Sequence, residues 1–151
     1  GGTKNGCWCA EAIVYMDPKM AEDLPFIRKR SAQLFSKTRF MAAQFEAYFQ
    51  DNLWLDLARH ANAMASRLRQ GFAASDSARL AWPTQSNELF VVINKQKAES
   101  ARAHGAHFYD WVVPQDMQGT LNPDEMLIRL VTSFATVESD VDQFLEICTT
   151  P

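Results

Sequence analysis

Between Asp51-Asn52 and Gly71 the apolar residues recur at steps of three and four. Leu53, Leu57, Ala61, Met64, Leu68 and Phe72 form one stripe, which Trp54, Ala58 and Ala65 widen, while Asp56, Arg59, Asn62, Arg67 and Arg69 fall elsewhere. Residues so spaced share one side of an α-helix, so the pattern predicts a long amphipathic helix. Asp51-Asn52 is its expected break and N-cap, and Gly71 its expected end. At about 1.5 Å per residue it is long enough to connect two domains. His60 lies between stripe and polar face, the place of a packed or partly exposed histidine rather than a catalytic one.

Upstream, Cys9 to Tyr15 is a short apolar run with β-branched and aromatic residues, read as a buried strand. Asp17-Pro18 has the form of a helix start, Asp as N-cap and Pro at the first position, for a short helix to about Asp23. Pro25 opens a further segment. Arg28, Lys29, Arg30, Lys37 and Arg39 are the one basic concentration, either a solvated face or an anion-capturing surface. From Phe40 to Phe49 apolar residues point all round, which normally means burial, and a subunit interface is one way to provide it.

Downstream, residues 73–86 read as a polar connector. Leu89–Ile93, His107–Val113 and Met126–Phe134 read as strands, a helix capped by Asn94 ends before Gly105, and Thr136 caps a last helix. Three strands and two helices of these lengths predict an antiparallel sheet covered on one side.

With 151 residues the chain can bury one real core, and its net charge of −3 implies neither a nucleic-acid nor a membrane partner. Cys7, Cys9 and Cys148 lack metal-ligand or redox-motif spacing and read as reduced thiols in a cytoplasmic protein. His60, His104 and His107 are scattered, so no metal site is expected.

Two residues stand out chemically. Lys4 lies in Gly1-Gly2-Thr3-Lys4-Asn5-Gly6, where glycines permit unusual turns and close approach of another group. A lysine amine desolvated in apolar surroundings can attack an aldehyde; an exposed lysine is the plainer alternative. Arg129, in Leu127-Ile128-Arg129-Leu130-Val131, shares a strand face with Leu127 and Val131. A guanidinium there needs an anion, either Glu88 or Asp110 across the sheet or a ligand carboxylate.

The segments GGTKNGCWCAEAIVYMDP, FIRKRSAQLFSKTRFMAAQ, LWLDLARHANAMASRL, GAHFYDW and IRLVTSFAT, in that order, resemble the low-specificity threonine aldolases. These belong to the β-eliminating lyase group of fold-type-I pyridoxal-phosphate enzymes. The resemblance implies an α/β fold and the C-terminal part of a longer subunit whose N-terminal part is missing. Residues 1–50 would end the large cofactor-binding domain, 51–73 would form the interdomain helix, and 74–151 a small αβ domain with an antiparallel sheet. It implies that Lys4 carries pyridoxal 5'-phosphate as a Schiff base, with Thr3 beside it. Arg129 would grip the substrate α-carboxylate with two prongs, and Lys37 and Arg39 would capture anions, in an adjoining subunit's site. The implied assembly is a homodimer or homotetramer. The implied reaction is retro-aldol cleavage of threonine and related β-hydroxy-α-amino acids to glycine and an aldehyde, and no base for the β-hydroxyl stands out in this chain. Alternatives are another lyase or aminotransferase using the same cofactor, or a non-catalytic interaction unit.

Overall fold

The computed structural model describes residues 1–150. They form two compact units, Gly1–Leu57 and the residues from Ala58 on.

In the first unit Gly2–Asn5 makes a tight 3-10 turn, and Pro18–Ala21 a second whose N-cap Asp17 accepts from the Lys19 amide at 3.0 Å. Helix α1 spans Leu24–Arg30 and α2 spans Arg39–Phe49. The run from Cys9 to Tyr15 is not a strand: Ile13 and Val14 are each 78% exposed. A strand exists only through its ladder, and the described residues give this run no neighbour to pair with. Nor is α2 buried, although it carries apolar residues all round. Its aromatic side chains cluster among themselves, Phe45 stacking on Phe49 at 5.9 Å and Phe49 meeting Trp54 at 6.0 Å.

Asp51 and Asn52 take the left-handed conformation, with φ of 51° and 63°, and this kink separates α2 from α3 (Leu53–Ala73). Short polar side chains tolerate that region better than branched ones. The boundary between the units falls within α3, after Leu57.

In the second unit the stripe of α3 is buried as its spacing predicts, at Ala61, Met64, Ala65, Leu68 and Phe72. Gly71 does not end the helix. A Cβ there would lie 2.5 Å from both Leu145 methyls, so this glycine serves close approach of another helix, and α3 continues to Ala73.

The sheet is antiparallel and has four strands, in the order β1 (Ala78–Leu80), β2 (Glu88–Asn94), β4 (Glu125–Val131), β3 (Tyr109–Asp110). β1 lies within what reads in sequence as a connector. Two helices accompany the sheet: α4 (Lys95–Ala103), where Asn94 accepts from the Gln96 amide at 2.8 Å, and α5 (Glu138–Thr149). Thr136 does not cap α5; its hydroxyl accepts from the Ser133 amide at 2.9 Å, and Val137 is the N-cap. The expected strand from His107 shrinks to two residues, Tyr109–Asp110, and Phe108 before it meets Phe144 on the helical side at 5.8 Å.

Strand alternation sends Leu89, Val91 and Ile93 of β2 with Ile128 and Leu130 of β4 into a core with Phe72, Ala98, Val141 and Cys148. Each large side chain so buried contributes about 1.5–3 kcal/mol. The opposite face is covered too, by an aromatic row in which Trp82 meets Phe90 at 5.0 Å and Phe90 meets Trp111 at 5.1 Å.

Burial pushes the Cys148 thiol up from 9.0 to about 12, partly offset by Lys97. Its preference for the neutral form stabilises the fold fully below the unfolded value near 9.0 and is lost as pH rises from there through about 12. At about pH 8, where free thiols are partly ionised, iodoacetamide is expected to alkylate exposed Cys9 and spare Cys148 until denaturant is added. Mass spectrometry of the labelled peptides checks this, and equal labelling of both contradicts it.

Candidate functional site

The Lys4 loop is fixed from several sides. Gly6, at φ 111°, closes the turn, and a Cβ there would meet Leu57 at 2.8 Å. Gly2 is buried, and a Cβ on it would stand 2.9 Å from the Ala10 carbonyl oxygen. The Thr3 amide donates to that carbonyl at 3.2 Å, and the Thr3 hydroxyl accepts from the Ala10 amide at 3.1 Å. A hydrogen bond from Thr3 is also the main reason the Glu11 carboxyl lies below its ordinary range. The Thr3 hydroxyl is thus committed to shaping the loop. Asn5 donates to the Tyr48 hydroxyl and, at 3.0 Å, to the Trp54 carbonyl. Gln44 of α2 clasps Cys9, accepting from its amide at 2.9 Å and donating to its carbonyl at 3.2 Å.

Against that fixed backbone the Lys4 side chain is exposed and has no hydrogen bond or ion pair among the described residues. Apolar surroundings for the amine are therefore not supplied by the described residues. Lys37 and Arg39 are also exposed; Arg39 lies over the ring of Phe40 at 4.7 Å.

In the second unit, Arg129 sits in β4 on the face away from the helices, opposite Phe90 of β2 and Tyr109 of β3. Its Nε is hydrogen-bonded to a carboxylate oxygen of Glu88, and the guanidinium lies 5.5 Å from the centre of the Trp111 ring. Of the two anions that sequence offers it, Asp110 goes instead to Arg102. Arg129 and Glu88 keep 31% and 34% of their side-chain surface exposed. Trp111 follows β3 directly, and its amide donates to the Leu127 carbonyl at 2.8 Å, which puts its ring on the same face as Arg129.

The other ion pairs are structural. Arg79 of β1 forks onto Glu125 of β4 and holds its carboxyl below the ordinary range, and Arg67 of α3 does the same to Asp142 of α5. Among the described residues no cluster of side chains could hold a metal ion, and no helix is long and apolar enough to cross a membrane.

Over 112 residues the chain is 38% identical to a low specificity L-threonine aldolase of Pseudomonas aeruginosa, covering 74% of this chain and 32% of that protein. It is related to the low specificity L-threonine aldolases. A second aldolase of that name, from a Pseudomonas species, is 36% identical with the same coverage. The solved threonine aldolase of Leishmania major superposes with a TM-score of 0.71 at 31% identity, over 83% of this chain and 34% of the other. Oryza sativa TDC, solved with PLP and tryptamine, aligns at a TM-score of 0.50 and 15% identity over 62% of this chain and 22% of its own, a likeness of fold alone. No protein-family model matches. The chain thus has an α/β fold of the fold-type-I class and spans about a third of the length of the aldolases it matches.

The Lys4 loop fits the group that such aldolases imply. It offers an exposed primary amine, unengaged among the described residues, on a backbone fixed by Asn5, Thr3 and two close-packed glycines, to which an aldehyde can be attached covalently.

Proposed function

We propose that this chain serves as the C-terminal part of a pyridoxal-phosphate-dependent threonine aldolase, which cleaves threonine and related β-hydroxy-α-amino acids to glycine and an aldehyde. The observation that carries this reading is the unengaged Lys4 amine on its pinned loop, in a chain 38% identical to such an enzyme. Lys4 would hold the cofactor aldehyde through its side-chain amine. Arg129 binds the substrate carboxylate by a two-pronged, charge-assisted contact, which fixes the turn of the substrate about its Cα. When bound, pyridoxal phosphate supplies an electron sink for the pair left at Cα as the Cα–Cβ bond breaks. Among the described residues no group is assigned to take the β-hydroxyl proton. Lys37 and Arg39 add positive charge for the phosphate or carboxylate of a neighbouring subunit's site.

The exposed apolar residues of the first unit, with Trp8 at 85% and Met16 at 91%, are surface for the rest of the subunit or for a partner in a homodimer or homotetramer to cover. The reduced-thiol reading of the three cysteines supports a cytoplasmic location.

A full-length enzyme carrying this chain is expected to release acetaldehyde from threonine or allo-threonine when supplied with pyridoxal phosphate. Coupled reduction of the acetaldehyde measures it. Cofactor absorption without acetaldehyde from either substrate would replace the aldolase by another lyase or an aminotransferase.

A further inference from the structure

We propose that Glu88 is a positioning residue for Arg129, holding the guanidinium by Nε so that its two terminal nitrogens face an incoming amino-acid carboxylate. This rests on the reading of Arg129 given above and deepens it.

The geometry comes from the centre of the sheet. β2 and β4 pair along their full length, with Glu88 opposite Val131 and Phe90 opposite Arg129. Glu88 and Arg129 are therefore diagonal neighbours on one face, within reach of long side chains. Leu89, Ile128 and Leu130, beside them in sequence, point the other way into the core and fix both backbones.

A guanidinium has five N–H donors in a rigid planar fork. Here the Nε side is taken by Glu88, and one face of the guanidinium plane by the Trp111 ring. The terminal nitrogens have no hydrogen-bond partner among the described residues, and Arg129 is still 31% exposed. Arg79, in a structural pair, places both terminal nitrogens on Glu125. Arg129 is instead anchored on one side and open on the other.

Two opposing effects follow. Glu88 weakens the attraction of Arg129 for a second carboxylate, but both side chains are part-exposed, where charge repulsion is screened. In return it removes side-chain freedom that Arg129 would otherwise lose on binding. Preorganisation dominates where solvent screens the charge, so Glu88 raises affinity for the α-carboxylate.

The test uses the full-length enzyme loaded with pyridoxal phosphate. Binding of glycine, and of methylamine, which lacks the carboxylate, is followed through the visible absorption of the cofactor. Glu88→Ala is expected to weaken glycine binding about tenfold, the scale of one hydrogen bond to a charged group, and to leave methylamine within about twofold. Glu88→Gln keeps an acceptor and is expected to recover most of the loss. Equal weakening of both ligands, no weakening of glycine, or a glutamine variant no better than alanine would each overturn the proposal. Arg129→Ala, measured alongside, separates two failures. If it weakens glycine and Glu88→Ala does not, Glu88 alone is misassigned; if it leaves glycine unchanged, the carboxylate reading of Arg129 fails.

Discussion

Lys4→Ala in the full-length enzyme abolishes covalent capture of pyridoxal phosphate and lowers threonine cleavage by on the order of a thousandfold or more. Holding a reactive group in place is worth several orders of magnitude, roughly 10³ or more, and loss of the covalent attachment removes that positioning. The fold should survive, because the Lys4 side chain is exposed and none of the bonds that hold its loop involves its amine. Borohydride reduction followed by peptide mapping is the direct measurement. The wild-type protein retains the cofactor on the peptide containing Lys4, and the variant retains none. Cofactor fixed to another lysine in the wild-type protein would remove Lys4 from the chemistry.

Arg129→Ala is expected to raise KM for threonine by about tenfold to a hundredfold, the range for hydrogen bonds to a charged group at about 1.4 kcal/mol per decade. If Arg129 also aligns the bond to be broken, kcat falls as well, since contacts that strengthen in the transition state are felt there. Removing Arg129 also leaves Glu88 without its partner. Glu88 is about one third exposed, so water can solvate its charge and the fold should tolerate the change. Steady-state kinetics with a melting curve separates the two effects, and an unchanged KM returns Arg129 to a purely structural pairing.

The readable parts of this chain were those governed by local rules. The stripe from Ala61 to Phe72, the Asn94 cap, and strands β2 and β4 follow from side-chain period and capping chemistry. Alternation also narrowed the protein anion for Arg129 to two candidates, and the structure takes Glu88. Distant partners were not readable. The run from Cys9 to Tyr15 has strand composition, but composition does not provide a neighbouring strand. Asn5 reaching Trp54 and Gln44 clasping Cys9 join residues far apart in the chain, with no pattern to announce them. β1 is too short for alternation to register, and Arg79 within it faces outward to Glu125. The aldehyde-binding role proposed for Lys4 rests on the order of motifs, since its exposure alone marks an ordinary surface lysine.

Glycine at position 71 has a consequence for how this fold can vary. The helix backbone there asks for no special torsion, so any residue but proline would be admissible if α3 stood alone. The Leu145 methyls remove that freedom. Drift at one of these positions is therefore tied to drift at the other: a side chain can be gained at 71 only as bulk is surrendered at 145, and related chains should trade volume between the two as a pair.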